Sequence, residues 1–310
     1  MAEIDALHGT LSGSITRKLC ERAFRLHHDA RFERLATLPN GHLYNLRGHK
    51  TYRAVRGSFD KTQPLKNAIG ERRRPGYLRV DSVHQGDLDG IKGVYLVNAV
   101  DEVTQCQCVC AVEKISEAFL LPVLEAMMTA FPFAIRGFHS DNGSEYVNYQ
   151  VAKLLEKLLI EQTYCARSPH PKSRSRQTND NALAESKNAS TVRKHLGCSH
   201  IPQHLAGAVN AFTAGVLSPY LNFHRPCHFP TEYADKKGKI RKHYRYADMM
   251  TPYDKLKSLP DAARYLKPGM TFDRLDEIAR ECSDNEAAKR LNEARAKLFQ
   301  LINKSQQRAA

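Results

Sequence analysis

The chain has 310 residues and 42% hydrophobic content, which allows one sizeable core with small flanking units. It has no stretch near 18 uninterrupted apolar residues, and its start, MAEIDALHGT, lacks the basic and apolar parts of a secretory signal, which argues against membrane and secreted classes. Eight cysteines without a CxxC pair are expected to be reduced thiols, as in a cytoplasmic protein.

The net charge of +14 is unevenly distributed along the chain. Residues 1–75 contain 15 Lys and Arg against 7 Asp and Glu, residues 76–228 contain 14 against 14, and residues 229–310 contain 18 against 12. Basic flanks around a neutral middle favour binding of a polyanion, because Lys and Arg neutralise phosphates with release of counterions. The alternative is that these charges serve only to keep the surface soluble.

The first 55 residues predict a small helical unit with the pattern of a helix-turn-helix. In ARFERLATLPNGHLYNLRGH, a first helix is followed by a Pro-Asn-Gly break and a short second helix. That second helix would offer His42, Asn45 and Arg47 to DNA, although any pair of short packed helices gives the same pattern. Residues 56–75 are rich in basic and helix-breaking residues and predict a basic linker.

Residues 76–230 predict a mixed α/β core. Apolar runs of strand length occur at residues 76–83, 93–100, 105–112, 133–140 and 160–166. Short turn-rich connections make the first three strands an expected antiparallel meander. Helices are predicted after the third, fourth and fifth strands, at residues 116–131, 145–159 and 179–196. The expected fold is a mixed five-stranded sheet with flanking helices.

Three cysteines alternate along the third predicted strand, in the motif QCQCVCAV. Alternation places Cys106, Cys108 and Cys110 on one face of the strand, where buried thiols are common. Because three ligands so close together would bind a metal ion poorly, this spacing argues against a zinc site.

Residues 231–310 predict a basic region made of a hairpin and helices. The segment TEYADKKGKIRKHYRY predicts a hairpin that turns at Lys237 and Gly238. Pro252 is expected near the start of a helix. Ser283 and Glu286 form a capping-box pattern, which predicts that the last helix begins at Ser283 and runs to about residue 303.

Three acidic residues are candidates for a catalytic metal site. Asp81 interrupts the first apolar strand, Asp141 follows the fourth strand in GFHSDNGSEY, and Glu185 lies in the helix after the fifth strand. If strands one and four are neighbours, the three carboxylates would meet at one point, as phosphodiester chemistry with two metal ions requires. Each residue also has a plain alternative: SDNG is typical of a turn, an Asp enters a strand by chance, and Glu is a common helix former.

The helix that contains Glu185 also carries a predicted DNA-binding stripe. Lys187, Thr191 and Lys194 follow the spacing i, i+4, i+7 and are expected to share one face. Such a stripe beside a catalytic carboxylate would bind a DNA backbone. The alternative is an ordinary solvated helix face.

Four short motifs then follow one another along the chain: VDSVH (80–84), HSDNGSEY (139–146), NDNALAESKN (179–188) and YLNFHRP (220–226). Together they resemble the integrase catalytic core of retroviral-integrase-type DDE transposases, especially bacterial insertion-sequence transposases. The resemblance implies an RNase H-like fold and a metal-binding triad of Asp81, Asp141 and Glu185. It also implies Mg²⁺ or Mn²⁺ as cofactor, cleavage of DNA strands at element ends and attack of the 3′-hydroxyl on target DNA. Joining two ends implies a homo-oligomer on DNA, associated with the nucleoid.

The distance between the second Asp and the Glu departs from this family. Here 43 residues separate Asp141 from Glu185, more than the family usually leaves, and the excess maps to CARSPHPKSRSRQT. Asp180 is therefore a rival third ligand, although its position suits a helix N-cap. Two alternative functions follow: a catalytically silent DNA-binding protein derived from a transposase, and a stand-alone RNase H-like nuclease.

Overall fold

A computed structural model describes residues 1–56, 74–140, 160–164, 182–234 and 240–309. The chain divides into a first unit, Met1–Pro64 with Tyr220–Lys255 and Leu275–Glu293, and a second unit, Leu65–Pro219 with Leu256–Arg274 and Ala294–Ala310. This division differs from the predicted segments, because the C-terminal residues are distributed over both units and do not form a separate region.

The N-terminal part of the first unit is helical. Its helices are α1 (Ala2–His8), α2 (Gly13–Arg25), α3 (Glu33–Thr37), α4 (Asn40–Gly48) and α5 (Lys50–Arg56). Leu38 and Pro39 are extended and separate α3 from α4, so the predicted break between two short helices is present. The apolar core of this part comprises Ile4, Leu11, Leu19, Cys20, Ala23 and Phe32.

The sheet of the second unit has five strands in the described residues, in the order β5-β4-β1-β6-β7. They are β1 (Tyr77–His84), β4 (Tyr95–Asp101), β5 (Gln107–Val112), β6 (Gly137–Ser140) and β7 (Glu161–Tyr164), while β2 (Asp87–Leu88) and β3 (Ile91–Lys92) form a small separate hairpin. Strands β5, β4 and β1 are antiparallel, and β1, β6 and β7 are parallel. The predicted mixed sheet is confirmed, and its arrangement is compatible with an RNase H-like core.

The fourth strand is shorter than predicted. Among the described residues of this run, Gly137–Ser140 pairs with β1, whereas Phe133 forms an isolated bridge with Leu266. The amide of Ala134 donates to the carbonyl of Tyr265, and the amide of Lys267 donates to that of Pro132. Residues 132–134 are therefore hydrogen-bonded to a later segment, whereas the Arg136 amide donates to the carbonyl of Gly76, next to β1.

Helices of the second unit cover the sheet. α6 (Glu117–Ala130) contains Pro122 in its second turn and buries Leu120 and Leu124 in the same core as Leu78 and Val80 of β1. α7 (Ala182–Lys187) continues as a π-helical segment, Asn188–Arg193, and a final turn, Lys194–Leu196. α8 (Ala206–Phe212) follows. The helix predicted at residues 145–159 lies outside the described residues.

The cysteines of the third predicted strand are core thiols, as expected. Cys106 and Cys108 are buried, Cys110 is half-buried, and all three are thiols that form no disulfide with the other described cysteines. The sulfur atoms of Cys108 and Cys110 lie 3.8 Å apart. These side chains pack with the apolar core that α6 covers.

The C-terminal residues form a hairpin and three helices in the described ranges. The hairpin pairs β8 (Thr231–Ala234) with β9 (Ile240–His243), and its predicted turn at residues 237 and 238 lies outside the described part. The helices are α9 (Pro252–Lys257), α10 (Phe272–Arg280) and α11 (Asp284–Ala309). The Glu286 amide donates to Ser283 Oγ at 3.2 Å, which confirms the predicted cap of the last helix. None of the described helices is long and apolar enough to cross a membrane.

A buried ion cluster ties the C-terminal part of the first unit to α2. Asp284 is 1% exposed and accepts hydrogen bonds from Arg22 Nε at 2.7 Å and from His224 Nδ1 at 3.1 Å. Arg22 also donates to Asp254 Oδ2 at 2.9 Å. These bonds join residues far apart in sequence, and they account for the grouping of the C-terminal segments with α2.

Stability of the first unit is expected to fall as the pH drops below about 4. Burial alone would raise the pKa of Asp284, but the His224 hydrogen bond, the His27 ring 3.6 Å away and the Arg22 guanidinium outweigh it and hold this pKa well below its usual value. A lowered folded-state pKa adds stability above the unfolded-state value of about 3.9, and this stability is lost below it by up to about 1.4 kcal/mol per pH unit.

Urea unfolding between pH 3 and pH 7 measures this effect. Asp284→Asn should start less stable at pH 7 and lose less stability on acidification than the natural chain. Equal losses in the two chains would show that Asp284 does not carry the pH dependence.

Candidate active site

Asp81 lies in β1 where antiparallel and parallel neighbours meet. Its antiparallel partner on β4 is Asn98, and the preceding residue, Val80, pairs with Ser140 on the parallel strand β6. Ser140 is the last residue of β6. The predicted ligand Asp141 comes next in the chain and lies outside the described residues. Asp180, the rival of Glu185 as third ligand, also lies outside them.

Two hydrogen bonds fix the half-buried Asp81 carboxylate. Oδ1 accepts from the amide of Ser82 at 2.9 Å, and Oδ2 accepts from Asn188 Nδ2 at 2.6 Å. These bonds orient the carboxylate relative to β1 and to the helix that carries Glu185.

Glu185 is exposed in α7, one helical turn before Asn188. The residues on either side of it contact the sheet: the carbonyl of Ala184 accepts from Asn98 Nδ2 at 3.4 Å, and Asn188 bonds to Asp81. The helix that carries Glu185 is therefore held against β4 and β1 beside Asp81.

Asp81 and Glu185 carry side chains of the type that binds hard divalent cations. Carboxylate oxygens are the side-chain ligands that Mg²⁺ and Mn²⁺ prefer, and Asp81 and Glu185 lie on adjoining elements. Within the described ranges, no group of three or more His, Cys, Asp and Glu side chains could hold a metal ion. Asp81 and Glu185 therefore match Mg²⁺ or Mn²⁺ in donor type alone, since the described residues do not bring a third such ligand to them.

The structure separates the three predicted DNA-contacting residues of α4. His42 and Asn45 are exposed, whereas Arg47 is buried. The Arg47 guanidinium donates to Asp5 Oδ1 at 2.6 Å and Oδ2 at 2.9 Å, and also to Thr16 Oγ1 at 2.9 Å. The prediction that Arg47 contacts DNA is wrong for this conformation, because its charge is used inside the helical core.

The predicted stripe on the helix of Glu185 is also not a solvent face. Thr191 is fully buried and donates to Gln107 Oε1 at 3.2 Å, Lys187 is buried, and Lys194 is half-buried. The segment Asn188–Arg193 is π-helical, with a wider turn than an α-helix, so i, i+4, i+7 spacing no longer selects one face. The prediction that Thr191 contacts DNA is therefore wrong.

Sequence reasoning missed three polar residues near Asp81. Asn98, Gln107 and Asn188 are buried and hydrogen-bonded to one another, and Asn188 bonds to Asp81. A signal was present in the strands, because Asn98 and Gln107 interrupt apolar runs just as Asp81 does. Asn188 had no comparable signal, since a polar residue in a helix is usually solvated.

Comparison with solved structures finds a partial likeness to the HTLV-2 integrase catalytic core domain, solved in complex with magnesium in a dimeric form. The sequence identity is 16% and the TM-score is 0.26, over 30% of this chain. The chain spans 62% of the length of that domain. No protein-family model and no curated protein matches the sequence.

Proposed function

We propose that the protein is a DDE transposase that cleaves and joins DNA strands with Mg²⁺ or Mn²⁺ during transposition of an insertion sequence. The observation that carries this proposal is the parallel register of β1 and β6. Val80 lies opposite Ser140, and an aspartate follows each of them in the chain, Asp81 and Asp141. The order of the four motifs supports the same assignment.

Asp81, Asp141 and Glu185 are the proposed metal-binding residues. Bound metal ions would activate the attacking oxygen and stabilise the leaving oxygen of the phosphodiester. Asp81 is held in one orientation by hydrogen bonds from Ser82 and Asn188. Glu185 lies on α7, the helix that packs beside β1. Asp81 is therefore a carboxylate held in place on a strand, and regular elements position metal ligands better than loops do.

DNA is the proposed partner in both reactions, cleavage of element ends and their joining to target DNA. The charge of the basic N-terminal and C-terminal regions suits phosphate binding, and His42 and Asn45 on α4 are exposed for contact with DNA. Lys194, which is half-buried on the helix of Glu185, is proposed to bind a phosphate, whereas Lys187 is buried in this structure and is not included. Because joining two element ends takes at least two protomers, we expect a homo-oligomer on DNA, in the cytoplasm and at the nucleoid.

An end-joining assay tests the proposal. The purified protein is incubated with labelled duplexes that carry the DNA flanking its gene, with Mg²⁺, with Mn²⁺ or with EDTA. Cleaved ends and joined products are expected with either metal ion and not with EDTA. Binding of ends without cleavage would identify a silent DNA-binding protein, and cleavage without any joined product would identify a nuclease.

The same assay identifies the third carboxylate. Glu185→Gln is expected to stop cleavage and joining, because it removes a charged metal ligand. Asp180→Asn is expected to leave both reactions intact, since an asparagine also serves as a helix N-cap. The reverse pattern would assign the third ligand to Asp180.

A further inference from the structure

A chain of four hydrogen bonds runs through the interior of the second unit and ends on Asp81. Thr191 Oγ1 donates to Gln107 Oε1 at 3.2 Å, and Gln107 Nε2 donates to Asn98 Oδ1 at 2.7 Å. Asn98 Nδ2 donates to Asn188 Oδ1 at 2.7 Å, and Asn188 Nδ2 donates to Asp81 Oδ2 at 2.6 Å. The chain links strands β5, β4 and β1 to the helix of Glu185.

All four donor side chains are buried, with exposed fractions of 0% for Thr191 and Asn98, 2% for Gln107 and 6% for Asn188. Burying amides is favourable only when their hydrogen bonds are made, and apolar side chains of similar shape would fill such a site at little or no cost. A fully connected polar chain in the core therefore contributes orientation more than stability.

Every hydrogen bond in the chain points the same way. Each of the three amides accepts through its oxygen from the residue behind it and donates through its nitrogen toward Asp81. Turning over any one amide would place two donors or two acceptors against each other, so the direction of the whole chain is fixed. Asn188 consequently presents its NH₂ group, and not its oxygen, to the carboxylate.

We infer that Asn188, held by Asn98 and Gln107, is a positioning residue that sets the rotation of the Asp81 carboxylate for metal binding. This inference rests on the proposed function, because it concerns the same metal site. Asn188 is the first residue of the π-helical segment, and Thr191 lies three residues later in it. Both side chains belong to the chain of hydrogen bonds that ends on Asp81. Partners that orient a metal ligand typically account for about 10- to 100-fold in metal affinity or activity.

Two substitutions at Asn188 and one matched control test the inference. Asn188→Ala removes both of its hydrogen bonds in the network, and Asn188→Leu removes them while keeping a side chain of similar size. The control is Asn210→Ala on α8, because Asn210 also bonds to the sheet, accepting from the Ala111 amide at 2.6 Å and donating to the Ala111 carbonyl at 2.8 Å, without reaching Asp81. Asn210→Ala, like Asn188→Ala, therefore loses two hydrogen bonds between a helix and the sheet.

Two readouts are taken on folded protein: Mn²⁺ affinity by electron paramagnetic resonance, and the rate of end joining with saturating DNA. Both Asn188 variants should lose about 10- to 100-fold in Mn²⁺ affinity and in joining rate, with unchanged affinity for DNA ends. Asn210→Ala should lower the thermal midpoint comparably and leave both readouts within about twofold of the natural chain.

Equal Mn²⁺ affinities in Asn188→Ala, Asn210→Ala and the natural chain would overturn the inference. A natural chain that joins no DNA would contradict the proposed function alone, and the Mn²⁺ comparison would then decide the inference by itself. A natural chain that joins DNA, with Asn188 variants indistinguishable from the control, would overturn the inference and leave the proposed function standing.

Discussion

Asp81→Asn is expected to abolish joining of DNA ends while leaving the fold intact. The substitution removes the charge that would hold a divalent cation, and metal ions supply several kcal/mol of transition-state stabilisation in phosphodiester chemistry. A loss of roughly 4 kcal/mol corresponds to about a thousandfold in rate. Asp141→Asn should have an effect of the same order. The measurement is the amount of joined product formed with Mg²⁺ over time.

Asp87→Asn is the matched control for this prediction. Asp87 is an exposed acid in β2 of the same unit, and its Oδ2 lies 3.7 Å from His84 Nε2. It should join DNA at the natural rate. The proposed metal site would be wrong if Asp81→Asn joined DNA as fast as this control.

Arg47→Met is expected to cost about 3–5 kcal/mol in the free energy of unfolding. The side chains of Arg47 and Asp5 are 0% and 1% exposed, and two hydrogen bonds join them. Methionine fills the space of the arginine stem but leaves the Asp5 charge buried, where the Tyr52 hydroxyl still donates to its carboxylate at 3.0 Å. Urea unfolding followed by circular dichroism measures the change.

Two further variants test whether the loss of stability in Arg47→Met comes from the buried charge of Asp5. Arg53→Met on the exposed side of α5 should change stability by no more than about 0.5 kcal/mol. The double variant Asp5→Asn with Arg47→Met removes the buried charge, so it should recover much of the loss. Weakened DNA binding by Arg47→Met at unchanged stability would instead restore the original prediction that Arg47 contacts DNA.

The strands and their order in the sequence were predictable, because alternating and continuous apolar runs carry a direct signal for buried strands. The isolated bridge of Phe133 was not, since it depends on a segment more than 130 residues later. Local strand propensity does not show which distant segment will form hydrogen bonds with the backbone of residues 132–134.

Of the residues at the candidate site, only the charged ones could be predicted from the sequence. Asp81 stands out because a strand rarely contains an aspartate, whereas Asn188 reads as an ordinary solvated helix residue. The predicted stripe failed because spacing arguments assume 3.6 residues per turn, and the segment that contains Thr191 is π-helical.

The sequence by itself determined the period of each element, the uneven charge along the chain and the candidate carboxylates, because these depend on neighbouring residues alone. The tertiary structure decided which face each element buries. It placed Arg47 against Asp5 and away from solvent, Thr191 beside Gln107, and Val80 opposite Ser140. Those outcomes depend on contacts between residues far apart in the chain, where burial and hydrogen bonding outweigh local pattern.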